Sequence, residues 1–222
     1  MEKRRDSATA YIILADGFET IEALTPLDVL RRCGVEVTTI SLNKTRSVRS
    51  SHGVTVEADA TMEDFMHNCN CCASGTGTGT NTSNAGSSST AGSSSTTAGS
   101  CLRQALILPG GYPGYKNLCE SAEVGALITQ FHKEGKLLCA ICGAPTALKA
   151  NQICRGAAIT CHTSVKEELS DYYSILSSAV VKYMNIITGM GAGRSLDFAF
   201  AIAESLTSKE KVEEIKAKME II

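Results

Sequence analysis

Lys136–Pro145 reads KLLCAICGAP, and the change of character along this stretch decides the fold. Lys136–Ile141 is a short apolar run of the kind buried in a parallel sheet, and Gly143-Ala144-Pro145 interrupts it at once. Small residues let the chain turn sharply, and Pro145 suits the first turn of a helix predicted over Cys142–Asn151. Cys142 then stands at a strand-to-helix elbow with its side chain exposed at the top of the sheet. The sulfur would face a helix N-terminus, whose free N–H groups and dipole favour thiolate. An ordinary thiol is only a few per cent ionised at neutral pH, whereas a pKa near ~6 makes it about 90% thiolate. Cys139, three residues earlier, reads as a buried packing cysteine.

The same alternation extends in both directions. Ala10–Ala15 is a buried strand, and Thr20–Cys33 is a helix with Ile21, Leu24, Leu27 and Leu30 on one face and Gly34 at its C-cap. Val35–Leu42 is a second strand, and Val48–Ala58, broken at Ser51-His52-Gly53, a strand pair. Ala105–Leu108 is a strand ending in Pro109-Gly110-Gly111, and Glu123–Glu134 is a helix. Ala157–Thr160, Val180–Val181 and Asn185–Thr188 read as strands, and Arg194–Leu206 and Lys209–Met219 as helices. Repeated β-then-α units predict a mostly parallel sheet covered on both faces, a three-layer α/β/α sandwich of the flavodoxin-like kind. Ligands in such sheets sit beyond the carboxyl ends of the strands.

One segment breaks the pattern. From His67 to Leu102 there is no Asp, Glu, Lys or Arg, and Ser74–Ser100 is almost wholly Ser, Thr, Gly, Ala and Asn. Residues 67–104 read as a flexible low-complexity insertion that builds no core. Lengthening a surface loop from about 5 to about 40 residues costs on the order of 2 kcal/mol of closure entropy, which one domain tolerates. The expectation is a single domain over 1–222 with the α/β pattern resuming after the insertion.

Composition narrows the function class. The 222 residues carry a formal charge of −2 and no basic stripe, so no specific nucleic-acid partner is expected. The charged start Glu2–Asp6 is unlike a secretory signal, and no apolar run reaches the roughly 18 residues that span a membrane. Of the ten cysteines, Cys139, Cys142, Cys154 and Cys161 sit in or beside apolar, strand-like runs, which argues against a disulfide framework. A reduced, soluble, cytoplasmic protein is expected.

Two further strand ends join Cys142. The glycines after Leu108-Pro109 allow backbone N–H groups to point into a site as an oxyanion hole, although a plain tight turn has the same composition. Asp16-Gly17-Phe18-Glu19-Thr20-Ile21-Glu22 follows the first strand, with Glu19 and Glu22 on one face of the opening helical turn. Taken alone, these two carboxylates read as a solvated helix face.

Together, Ala15-Asp16-Gly17-Phe18-Glu19 with Glu22, Leu108-Pro109-Gly110-Gly111 and Ala140-Ile141-Cys142-Gly143-Ala144-Pro145 resemble the DJ-1/PfpI (ThiJ) family, in order and in spacing. Thr188-Gly189-Met190-Gly191 resembles the family's last active-site turn. The resemblance covers about Ala10–Ala217 outside the insertion and is nearest to the deglycase/glyoxalase subgroup. It implies Cys142 as nucleophile, Glu22 as its protonated carboxylic partner, and backbone N–H groups from Gly110, Gly111 and Gly143. It also implies His162, in Thr160-Cys161-His162, as the active-site histidine, against the plain reading of a surface histidine after a strand. No metal or organic cofactor is implied. A homodimer is, with Arg32 and His52 near the partner's site. Relatives often carry Arg where His52 stands, which makes an anion contact there weaker or pH-dependent.

Other readings fail on particular residues. Intracellular peptidases of the wider superfamily place His directly after the nucleophile, where this chain has Gly143. Glutamine amidotransferases need a late His followed by Glu, and the last histidine here is His162. Gly189-Met190-Gly191-Ala192-Gly193 is a poor dinucleotide fingerprint because Arg194 stands where Gly or Ala is required. Cys69, Cys71, Cys72 and Cys101 fit no zinc ligand spacing, and bland low-complexity sequence accounts for them better. Two functions remain. One is a glutathione-independent glyoxalase/deglycase acting on methylglyoxal, glyoxal or early glycation adducts. The other is an oxidative-stress sensor or redox-regulated chaperone that oxidises the same cysteine.

Overall fold

The computed structural model describes residues 8–68 and 103–221. The chain order begins β1 (Thr9–Leu14), α1 (Thr20–Arg32), β2 (Glu36–Ser41), β3 (Ser47–Arg49), β4 (Thr55–Glu57), β5 (Ala60–Thr61) and α2 (Met62–Asn68). It continues with β6 (Gln104–Leu108), α3 (Gly114–Glu120), α4 (Ala122–Lys133), β7 (Leu137–Ile141), α5 (Pro145–Ala150), β8 (Ala158–Ile159) and α6 (Lys166–Leu169). The last elements are β9 (Ser174–Ile175), β10 (Val180–Tyr183), β11 (Ile186–Gly189), α7 (Ser195–Leu206) and α8 (Lys209–Lys218). Most of the expected insertion, with Cys69, Cys71, Cys72 and Cys101, lies outside the described residues. Its ends do not: His67 and Asn68 close α2, and Gln104 opens β6.

Seven strands form one sheet in the order β10-β11-β7-β6-β1-β2-β5. Every neighbouring pair is parallel except β10 with β11. The sheet is continuous across the insertion, because β6 lies between β1 and β7. Alternation along the strands sends side chains to two cores. Ala10, Ile12 and Leu14 of β1, Ile107 of β6 and Cys139 and Ile141 of β7 pack with α1, α7 and α8. Ile13, Leu106, Leu108, Leu138 and Ala140 pack on the other face with α2 to α6. This is the expected three-layer sandwich.

Three expectations are revised. Ala157–Thr160 is not a strand of the main sheet, since β8 pairs with β9 in a separate two-stranded sheet. The helix after Cys142 begins only at Pro145. Between Gly111 and Glu123, where no element was expected, the chain forms α3 with Pro113 as its N-cap. The Val48–Ala58 strand pair is the antiparallel β3–β4 hairpin. Helix α1 ends at Cys33 and Gly34, whose φ of 82° is the left-handed conformation that closes a helix. Among the described residues, no helix is long and apolar enough to cross a membrane.

Candidate active site

Parallel register brings four strand ends to one edge of the sheet. Leu108 pairs with Ala140, and Ile141 with Gly189, so the turns after β6, β7 and β11 emerge side by side. Beside them runs the turn after β1. The β3–β4 hairpin is tied to that turn, Ser51 N–H donating to the Phe18 carbonyl at 2.9 Å and Arg49 N–H to Asp16 Oδ1 at 2.8 Å.

Cys142 has φ 65°, a left-handed conformation that costs a non-glycine residue roughly 1–2 kcal/mol. Its N–H donates to the Gly189 carbonyl at 3.0 Å, and its carbonyl accepts from His162 N–H at 2.9 Å. Those two bonds hold the elbow between β11 and the His162 loop. The sulfur remains half-buried, at the wall of a cavity of about 600 Å³. Glu19, Glu22, His52, Gly111, Tyr112, His162 and the Met190–Arg194 turn also line it.

Glu22 is not on a solvated helix face. It is 0% exposed, and its Oε2 accepts the Gly110 N–H at 2.8 Å. Glu19, largely buried at the cavity wall, caps α1 by accepting Glu22 N–H at 2.8 Å. Burial pushes the Glu22 carboxyl up to about 7 and Glu19's charge adds to the rise, while the Gly110 N–H and the Cys142 thiol oppose it. Glu22 Oε1 is buried with no hydrogen-bond partner, and Oε2, which holds the Gly110 N–H, is the oxygen beside the Gly110 Cα that the Cys142 sulfur also approaches.

The thiol behaves oppositely to the sequence expectation. Burial, then the negative charge of Glu22 and its hydrogen-bonding pull on the thiol proton, push Cys142 up to about 12; the N–H groups of Gly111 and Gly143 pull it down. Two of the three raising causes depend on Glu22 being ionised. A proton moved from sulfur to Glu22 removes the repulsion and leaves the thiolate facing two N–H donors. The pair therefore shares protons as one unit, and titration belongs to the pair. The helix-dipole argument contributes little, because α5 is only six residues long.

The glycines divide the work. Gly110 N–H is engaged by Glu22, which corrects the expectation that it faces an oxyanion; Gly111 and Gly143 are the donors beside sulfur. A Cβ on Gly110 would stand 2.7 Å from both Cys142 Cβ and Glu22 Oε2, so only glycine lets the pair meet across it. Gly143 is required by Tyr115, whose ring would lie 2.7 Å from an added Cβ.

His162 lines the cavity but forms no hydrogen bond with Cys142 through its ring. Nδ1 accepts Ser164 N–H at 3.2 Å and lies 2.8 Å from Ser164 Oγ, so the neutral ring carries its proton on Nε2. His52 also lines the cavity, largely exposed, with Nδ1 3.9 Å from Glu19 Oε1. Arg32 is not part of this chain's cavity: it ends α1, paired with Asp28 at 2.7 Å, ten residues along the helix from Glu22. Tyr112, Met190 and Arg194 belong to the lining; Met190 lies in the expected last active-site turn, whereas Tyr112 and Arg194 were not among the sequence candidates. Tyr112 is signalled by its place directly after Gly110-Gly111, and Arg194 by its place three residues after Thr188-Gly189-Met190-Gly191, the stretch that resembles the family's last active-site turn. A second cavity, about 850 Å³ and lined by Cys119, Gln130 and Lys133 among others, lies away from this edge and contains none of the three strand-end motifs.

A parallel α/β sheet with a cysteine on a left-handed elbow and a buried carboxyl beside it defines a cysteine–glutamate elbow protein. The chain belongs to the DJ-1/PfpI family, whose model matches residues 8–205. It is 32% identical over 210 residues to protein dj-1beta of Drosophila melanogaster, covering 94% of this chain and 95% of that one. The crystal structure of Drosophila melanogaster DJ-1beta superposes with a TM-score of 0.79 at 31% identity, covering 97% of this chain and 99% of that chain. A Caenorhabditis elegans relative described as a glutathione-independent glyoxalase, DJR-1.2, is 38% identical over 107 residues, 48% of this chain and 56% of its own length.

Proposed function

We propose that this protein is a glutathione-independent glyoxalase/deglycase that uses Cys142 on methylglyoxal, glyoxal or early glycation adducts. The observation that carries the reading is the Cys142–Glu22 pair, with Gly111 and Gly143 N–H groups beside the sulfur in an open cavity. The glyoxalase description of the Caenorhabditis elegans relative supports it.

Glu22, with a pKa of about 7, is a competent base at neutral pH. It takes the thiol proton as sulfur bonds to the aldehyde carbon, and the carbonyl electron pair becomes an oxyanion facing the Gly111 and Gly143 N–H groups. Protonation of that oxygen gives the hemithioacetal. Glu22 then takes the carbon-bound proton while His162 Nε2–H protonates the neighbouring carbonyl oxygen, giving an enediol. Its other hydroxyl returns a proton to His162, and Glu22 delivers its proton to the neighbouring carbon, leaving a thioester. Water releases the 2-hydroxy acid and restores the thiol. The balance is RCO–CHO + H₂O → RCH(OH)–COOH, with no external oxidant or reductant.

Methylglyoxal turnover to lactate by wild type, Cys142→Ala and Glu22→Gln tests this reading, beside mass spectrometry after mild peroxide. Turnover lost in both variants supports it. Absent turnover with stoichiometric sulfinate at Cys142 supports the alternative, a redox sensor or chaperone. The same proposal includes a homodimer with Arg32 and His52 near the partner's site, since Ile21 of α1 and Leu196 of α7 are apolar and exposed on packed helices. Sedimentation as a monomer at micromolar concentration contradicts that part.

A further inference from the structure

The cavity around Cys142 has about 600 Å³, far more than a molecule of a few heavy atoms such as methylglyoxal fills. Among the described residues that line it, Arg194 is the one permanent cation. Its guanidinium has a single ion-pair partner, Asp197, at 3.5 Å, and both side chains are more than half exposed. Such a pair contributes little and exchanges readily for a better partner. The anionic wall of the cavity is already engaged: Glu19 Oε2 accepts Glu22 N–H and its Oε1 faces His52. A guanidinium offers paired donors in a plane that matches a carboxylate.

We propose that Arg194 is a specificity residue that selects electrophiles bearing a carboxylate, so that the preferred substrates are 2-oxoaldehydes whose substituent ends in one. A representative is 4,5-dioxopentanoate, which the reaction above converts with one water into 2-hydroxypentanedioate. The substrate assignment rests on the glyoxalase reading; the charge selectivity of the cavity toward Cys142 does not.

Two measurements separate them. Iodoacetate and iodoacetamide alkylate Cys142 by the same step, sulfur–carbon bond formation with loss of iodide, and differ in charge. The ratio of their rate constants at Cys142, read by mass spectrometry and divided by the same ratio for N-acetylcysteine, is expected to be roughly tenfold higher in wild type than in Arg194→Met. Arg194→Lys should keep part of it. The kcat/KM ratio of 4,5-dioxopentanoate to methylglyoxal should fall by a similar factor in Arg194→Met. Equal alkylation ratios in wild type and Arg194→Met overturn the inference, whatever the turnover. A tenfold fall in the alkylation ratio with no aldehyde turned over sustains the anion site and removes the glyoxalase reading. Turnover with an unchanged substrate ratio sustains that reading and overturns the substrate class.

Discussion

The β1–α1 and β7–α5 turns leave the same sheet in the same direction, on either side of β6, and deliver their functional side chains in opposite ways. After β1 the chain takes a long path through Asp16–Glu19, and Glu22 enters from the first turn of a helix, fully buried. After β7 the path is only Cys142–Ala144, and Cys142 opens the turn, held at φ 65° with its sulfur at a cavity wall. One turn buries a carboxyl and raises its pKa; the other strains a backbone and exposes a thiol. Neither alone makes a reactive group. Together they give a base near neutrality beside a thiol that yields its proton only to that base.

The largest effect expected from breaking the comparison is at the elbow. Cys142→Ala and Cys142→Gly should each abolish turnover, by on the order of 10⁴-fold or more, but the glycine variant should be more stable than the alanine variant by about 1 kcal/mol, because glycine tolerates the left-handed backbone. Urea denaturation beside the turnover assay measures both. Equal stabilities would mean that the elbow is unstrained.

Gly110→Ala comes next. Its Cβ would collide with both members of the pair, and both must shift. Turnover should fall by roughly 10²-fold or more, with a destabilisation of about 1–3 kcal/mol. Near-normal kinetics would show that the carboxyl and the thiol need not meet across that residue.

Glu22→Gln tests the buried carboxyl through stability. The folded value of about 7 lies above the ordinary 4.5, so the folded chain holds this proton more tightly than the unfolded chain. Stability contributed by Glu22 is present below about pH 4.5, declines as pH rises to about 7, and is lost above it, by about 3 kcal/mol. The glutamine keeps an acceptor for Gly110 N–H and carries no charge. Its melting temperature should exceed that of wild type at pH 8 and approach it near pH 4.5. A variant less stable than wild type at pH 8 would contradict the burial argument.

The smallest effect concerns the support of the β7–α5 turn. Gly143→Ala should destabilise less in a Tyr115→Ala background than in wild type, with a coupling of about 1 kcal/mol in a double-mutant cycle, because the Tyr115 ring occupies the space an added Cβ needs. Additive effects would remove that contact from the account.

Much of this was legible in the sequence, for identifiable reasons. Strand-to-helix punctuation at Gly143-Ala144-Pro145 and apolar runs such as Ala105–Leu108 are local signals, and they place Cys142 and the sheet correctly. Glu22 was legible as a partner only through family resemblance. Spacing places it beside Glu19 on one helical face, and nothing local says that the face points into the protein. The β8–β9 pairing depends on a contact sixteen residues apart, between Ala158 and Ser174, which no local pattern encodes. The thiol expectation failed because it counted the helix and not the neighbour: the acidity of Cys142 is set across the fold by a carboxyl 120 residues away in the chain. Arg194 was visible but was weighed only against a motif to which it does not belong.

The most direct test of the shared-proton account is the pH dependence of Cys142 alkylation by iodoacetamide in wild type and Glu22→Gln. The account predicts that wild-type reactivity rises with a midpoint near pH 7, as the first proton leaves the pair, and that Glu22→Gln shifts the midpoint above about 9, where burial alone holds the thiol. The same midpoint in both proteins would contradict it.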